Sequence, residues 1–266
     1  YEIPLRLVGS EMCIRDSPTS NTFSTYAQEN AVFEDRGPYN APGRVRSVIV
    51  DSRDNSNKTW IIGGVGGGIY KTTDSGVNYE HLSPELDNAY ITALVQGEQN
   101  PNIIYAGAGA AWTYASAGFS GGSMYKSNDG GNNCNNISLK DSLGNVDQKF
   151  RSISRMVIDP NDDDILTIAT WAGSSLANDN AAGFIYRTED GGNTWNEIYQ
   201  AGPQERITQL VSSPKDSKII YASVSQVGVL KSTDGGKSWY NPGNLGLTGS
   251  LSYDNPDGLY LSLIHI

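Results

Sequence analysis

KSTDGGKSW, Lys231 to Trp239, decides the fold, because the chain says nearly the same thing three more times. RTEDGGNTW runs from Arg187 to Trp195, KSNDGGNNC from Lys126 to Cys134 and KTTDSGVNY from Lys71 to Tyr79. The shared aspartates, Asp74, Asp129, Asp190 and Asp234, stand 55, 61 and 44 residues apart. A repeat at this period means stacked or radially arranged units that bury their apolar faces on one another. Each box follows a short apolar strand (GGIY, GSMY, GFIY, VGVL) and precedes another (NYEHL, NCNNI, TWNEI, SWYNP). Two strands joined by D-G-G or D-S-G read as a β-hairpin.

A second element recurs upstream of each box. Val45–Gly64, Ile91–Gly109, Ile153–Thr170 and Ile207–Val224 each show a strand, a polar turn rich in Asn, Asp and Pro, and another strand. Each unit therefore holds four short strands, and no segment has a helical period. Tandem four-stranded units of this size predict an all-β chain folded as a β-propeller, four blades plus the start of a fifth at GSLSYDNPDGLYL. The ends read differently. Pro4–Ser17 and Leu261–Ile266 resemble translated sequencing-adaptor sequence and are set aside. The predicted layout is a non-native segment at 1–17, a lead-in at 18–36, the propeller at 37–260 and a non-native tail at 261–266. A ring cut inside a blade leaves unpaired strand edges, so the chain is expected to behave poorly on its own, as light scattering during expression would show.

The box has a local logic. A carboxylate opening a tight loop accepts backbone N–H bonds and fixes the loop's shape. Gly76, Gly131, Gly192 and Gly236 supply positive φ, and the hydroxyls of Thr72, Ser127, Thr188 and Ser232 bond across the hairpin. Tyr79, Trp195 and Trp239 bury a ring between units, where the second repeat has Cys134.

Composition narrows the function. The net charge of −10 becomes −9 without residues 1–17 and 261–266, which carry two basic (Arg6, Arg15) and three acidic (Glu2, Glu11, Asp16) residues. That acidity disfavours nucleic acid, whose phosphates call for a basic stripe. No apolar run approaches the roughly 20 residues of a membrane span. Outside the suspect ends one cysteine and one histidine (His81) remain, too few for a disulfide, a cysteine metal site or a histidine-rich zinc site. His81 reads as an ordinary strand-end residue. DPNDDD (Asp159–Asp164) offers oxygen ligands but occupies the turn that SRDNSN, EQNPN and SPKDS fill elsewhere, and it reads as a solvated turn. GGVGGG (Gly63–Gly68) lacks the Lys-Ser/Thr ending of a phosphate loop. No cofactor or metal is expected.

The loops joining strands two and three open on the face opposite the boxes. They are short in the first and fourth units and long in the second (Ala110–Gly122) and third (Trp171–Gly183), where they carry Trp112, Tyr114, Phe119 and Trp171. Arg44 and Arg46 open the first inner strand, Arg155 lies in the third and Arg206 just precedes the fourth. Inner strands line a propeller's channel, so these arginines are candidates to meet an anionic or sugar ligand below Trp112, Tyr114 and Trp171. The alternative for each arginine is pairing with the chain's own carboxylates.

The pattern Ser/Thr-x-Asp-x-Gly-x-Thr/Ser-Trp resembles the Asp-box, or BNR repeat, over about Gly37–Tyr260. Such boxes occur in sialidases, xyloglucanase-type glycoside hydrolases, sortilin-type receptors, photosystem assembly factors and large secreted bacterial proteins, the last being most similar to DRGPYNAPGRVRSVIVD. The resemblance implies a secreted or cell-surface bacterial protein, and boxes that lie away from the ligand and are structural rather than catalytic. Two departures bear on activity. The Arg-Ile-Pro motif of sialidases is missing, and Gly64-Val65-Gly66-Gly67 stands where xyloglucanase-type enzymes carry a catalytic Asp-Val-Gly-Gly. The reading is a non-catalytic module binding glycan or extracellular protein, with no catalytic residue assigned. The alternative is a glycoside hydrolase of the same propeller type, which would need a carboxylate pair or a tyrosine nucleophile.

Overall fold

A computed structural model describes residues 44–65, 68–82, 86, 90–109, 123–150, 152–171 and 181–242. Within them the chain is β-structure with one 3-10 turn (Gln148–Phe150). The first sheet takes β1 (Arg44–Val50), β2 (Trp60–Val65), β3 (Gly68–Thr72) and β4 (Glu80–His81). The second takes β5 (Ile91–Gln96), β6 (Ile104–Ala108), β7 (Met124–Ser127) and β8 (Asn135–Asn136). The third takes β9 (Ser152–Asp159), β10 (Asp162–Trp171), β11 (Gly183–Thr188) and β12 (Asn196–Gln200). The fourth takes β13 (Ile207–Ser213), β14 (Asp216–Val224) and β15 (Gly228–Ser232), and its fourth-strand position holds a single bridge, Lys231 to Tyr240.

Every sheet is an antiparallel meander in sequence order. Inner strands lie side by side, β1 on β5, β5 on β9 and β9 on β13. This is an arc of β-propeller blades. The predicted start of a fifth blade, the two end segments and the lead-in lie outside the described residues.

The core lies between blades, as stacked sheets require. Ile61, Ile69, Ile91, Leu94 and Ile104 fill the space between the first two blades, and Tyr105, Met124, Phe150, Ile153 and Leu166 the next. Ala169, Ile185, Ile207, Leu210 and Ala222 fill the third. Two sites show how tightly the blades meet. A Cβ on Gly63 would sit 2.5 Å from Ile91 Cγ2, and one on Gly107 would sit 2.5 Å from Ile153 Cγ2.

The boxes form as their sequence implies. Thr188 Oγ1 donates to Asp190 Oδ1 at 2.7 Å and accepts from Gly192 N at 2.9 Å, while Thr194 N and its hydroxyl donate to the same carboxylate. The other three boxes repeat these bonds through Thr72, Ser127 and Ser232. The predicted glycines have φ of 90°, 98°, 92° and 87°. The residue before each is also left-handed, at φ 63° to 77°, and at Ser75 this conformation falls on a side chain. Trp195 spans two blades: its indole N–H donates to Ile137 O at 2.8 Å and its ring meets Phe150 edge-on at 5.3 Å. Cys134 packs, half-buried, where the other boxes place that ring.

All four box aspartates are held near a pKa of about 2. The largest cause is the Asn78 N–H for Asp74, the Asn133 amide for Asp129 and the Thr194 hydroxyl for Asp190. At Asp234 burial pushes upward, and the Ser238 bonds outweigh it. Folded pKa values below the ordinary 3.8 add stability that is complete above the unfolded value and is lost as pH falls through the folded one. Thermal unfolding should therefore keep a flat Tm down to about pH 5 and lose it steeply between about pH 4 and 2. Asp190→Ala and Asp234→Ala should each lower stability by about 1–3 kcal/mol through orphaned loop donors, in chemical denaturation, without changing ligand binding.

DPNDDD departs from its expected role. Asp163 is only 5% exposed and accepts from the backbone N–H groups of Glu98, Gln99 and Asn100 in the preceding blade. Asn161, Asp162 and Asp164 are exposed as a solvated turn requires, while Asp163 makes the same turn a strut between blades. His81 is exposed in β4, where it stacks on Tyr70 at 4.7 Å.

Candidate functional site

In a four-strand meander the turns joining strands one to two and three to four share one end, and the loop joining two to three opens at the other. The boxes occupy the first end. Arg44, paired with Val65, and Arg206, bonded through its backbone to Ser225, mark the second.

Each inner strand carries a β-bulge at the same place. The ladder skips one residue between Val45 and Ser47, Ile91 and Ala93, Ile153 and Arg155, and Ile207 and Gln209. A bulge re-aims the skipped side chain. In the second and third blades that residue is a hydroxyl, which bonds its own second strand and the next blade. Thr92 Oγ1 donates to Gly107 O and Ile153 O, and Ser154 Oγ to Ala169 O and Ile207 O. Thr208 makes the first of these bonds, to Ser223 O. In the first blade the skipped residue is Arg46.

A guanidinium cannot serve as that short stitch, and Arg46 turns to other company. Burial, then the charges of Arg44 and Arg155, hold its pKa below the ordinary arginine value. Burial lowers that of Arg155 as well. Arg155 is positioned by two bonds, Nε to Gln209 Oε1 and Nη1 to Ser154 O at 2.7 Å. Neither bond supplies an anion. Among the described residues the Arg44 and Arg46 side chains make no hydrogen bond or ion pair, so the alternative of pairing with the chain's carboxylates is not seen there. Arg46 thus feels the positive charge of Arg44 on its own strand and of Arg155 on β9, one inner strand (β5) away, in an acidic chain. What would relieve that repulsion is an anion, which arginine forks can hold with paired N–H donors.

The fourth arginine stands apart. Arg206 lies over the Trp171 ring at 4.5 Å from its centroid. Trp171 is only 6% exposed and is the last residue of β10, paired with Gly183, so it belongs to the strand and not to the loop. Its ring is therefore covered by protein rather than offered to a ligand. Trp112, Tyr114 and Phe119 lie outside the described residues. The bulge was missed by sequence reasoning, although Ile-Thr, Ile-Ser and Ile-Thr against Val-Arg in one register was the signal for it.

Among the described residues no group of three metal-ligating side chains converges, and no helix is long and apolar enough to cross a membrane. No family model matches the chain, and no curated protein matches it. Solved structures do. An ancestral GH74 enzyme aligns with 79% of this chain at 18% identity and a TM-score of 0.56. The GH74 enzyme of Niastella koreensis aligns with 81% at 23% identity and a TM-score of 0.52, and the GH74 xyloglucanase of Xanthomonas campestris with 75% at 17% and 0.52. The chain spans 25% to 30% of the length of those three proteins. At these identities the likeness is one of fold, and it is to an arc of β-propeller blades.

Proposed function

We propose that the protein is a non-catalytic β-propeller module that binds an acid-bearing glycan at the end of its blades opposite the boxes. The observation that carries this is the group of Arg44, Arg46 and Arg155, in which Arg46 feels the charges of the other two and no carboxylate among the described residues pairs with any of the three. The fold shared with GH74 enzymes, one of them a xyloglucanase, supports a glycan as the ligand class. The arginines add the requirement for carboxylate or sulfate groups. Trp112 and Tyr114, in the 110–122 segment that follows β6 in the sequence, are the aromatic faces we assign to the sugar rings. We place the protein outside the cell on the Asp-box resemblance.

Binding without turnover fits the carboxylates. Glycoside hydrolysis needs an acid of raised pKa facing a second carboxylate. Among the described residues each carboxylate displaced from its ordinary value is displaced downward.

A glycan array with neutral, uronic-acid, sialylated and sulfated probes tests the reading, with product release followed on the same probes. Retention of acidic probes without cleavage is expected. Retention of neutral probes alone, capture of proteins but no glycan, or release of product would each overturn it. Arg44→Ala with Arg46→Ala should weaken acidic-probe binding by about tenfold or more. Because these side chains bond nothing among the described residues, the same variant should keep or slightly raise Tm as the charge of Arg44 on Arg46 is removed.

A further inference from the structure

The first residue after each inner-strand bulge falls at one register in the four blades. Ser47 pairs with Gly63, Ala93 with Gly107, Arg155 with Ala169 and Gln209 with Ser223. The first two side chains are short. Arg155 and Gln209 are long, half-buried and on neighbouring inner strands, β9 and β13. They meet there: Arg155 Nε donates to Gln209 Oε1, and Arg155 Nη1 donates to Ser154 O at 2.7 Å. Ser154 is itself tied down, its hydroxyl donating to Ala169 O and Ile207 O. The guanidinium is thus fixed through two of its N–H groups. Three remain, enough for one fork on a carboxylate or sulfate. The choice of partner is unusual for this chain. Arg53, Lys126, Lys149 and Arg187 each take a carboxylate, from Asp51, Asp164, Glu197 and Glu189, whereas Arg155 takes a neutral amide.

We infer that Gln209 is a positioning residue of the anion site, and that its neutrality lets the site select an acid-bearing ligand. This rests on the glycan-binding reading above and names the residue that sets its specificity. A glutamate at 209 would reach the same Nε–H but would bring a charge of its own. The pair would then close inside the protein, and Arg155 would have no uncancelled charge to offer. The amide oxygen of Gln209 orients the same edge of the guanidinium and leaves its charge whole. Burial sharpens the effect. It already lowers the basicity of Arg155, which marks a cation that water solvates poorly and that an incoming anion stabilises. Arg46 feels that charge, so a ligand acid meets Arg155 and Arg46 together.

Calorimetric titration of the full chain with a uronic-acid oligosaccharide and with its carboxyl-reduced form tests this. The parent should prefer the acid form by about tenfold or more. Gln209→Glu keeps the size and the bond to Arg155, so it should keep or raise Tm and still remove most of that preference. A residue that only packs would not respond to so isosteric a change. Gln209→Leu should weaken acid-form binding by about threefold or more alone, and add nothing in an Arg155→Ala background, because it acts through Arg155. A Gln209→Glu variant with the parent's preference would overturn the inference and leave the glycan reading standing. So would a Gln209→Leu loss that adds in full to that of Arg155→Ala. A parent that binds both forms equally would overturn both readings.

Discussion

Asp163→Ala is expected to lower the unfolding free energy by about 3 kcal/mol in urea denaturation, more than any single box substitution. The Asp163 carboxylate is buried and gathers three backbone N–H groups, from Glu98, Gln99 and Asn100. Hydrogen bonds to a charged acceptor contribute about 1.5–3 kcal/mol, and orphaned donors cost a further share when water cannot replace the acceptor. The turn that loses its support belongs to the second blade, while the substitution lies in the third. Amide exchange should therefore rise at Glu98 to Asn100 before it rises in β10. Asp163→Asn should recover part of the loss, since one carbonyl oxygen remains to accept. A variant with the parent's stability would mean that solvent substitutes for the carboxylate and that the turn is not a strut.

Gly107→Val is expected to cost about 3 kcal/mol or more for a different reason. A Cβ there would lie 2.5 Å from Ile153 Cγ2 and 2.8 Å from Ile153 Cβ. The nearer atom can rotate away, but a β-branched Cβ is fixed to its own backbone, so whole blades must separate. Overpacking a core costs about 1–3 kcal/mol even where side chains can adjust. The matching positions hold Ala169 and Ser223, so Gly107→Ala should cost less than Gly107→Val. Pairing Gly107→Val with Ile153→Ala should restore part of the stability, which calorimetry can read. If the double variant is no better than the single one, the close approach of these two blades is not what the glycine serves.

The repeat made the fold legible. Lys231–Trp239 and its relatives place an aspartate, a glycine and a hydroxyl at fixed spacing, and those local bonds form as the spacing requires. What the sequence left hidden depends on partners far away in the chain. DPNDDD has the composition of a solvated turn, and only the neighbouring blade's turn makes Asp163 a buried acceptor. Trp171 looked like a loop aromatic because nothing local shows that β10 continues through it to pair with Gly183. Its cover by Arg206 is likewise a contact between blades. Arg46 was legible as a channel candidate, but not its place at a bulge, because a bulge is a property of two strands together. The left-handed Ser75 followed the same course: two consecutive positive-φ residues are needed, and the sequence pattern pointed to one.

The most direct measurement is calorimetric titration of the protein with a uronic-acid oligosaccharide and with the same oligosaccharide after its carboxyl groups are reduced to alcohols. The arginine group predicts saturable binding of the acid form, at least about tenfold weaker binding of the reduced form, and loss of that difference in Arg44→Ala with Arg46→Ala. Raising the salt concentration should weaken the acid form selectively. Equal affinity for the acid and reduced forms, in a folded protein with all three arginines in place, would contradict the assignment of Arg44, Arg46 and Arg155 to an anionic ligand.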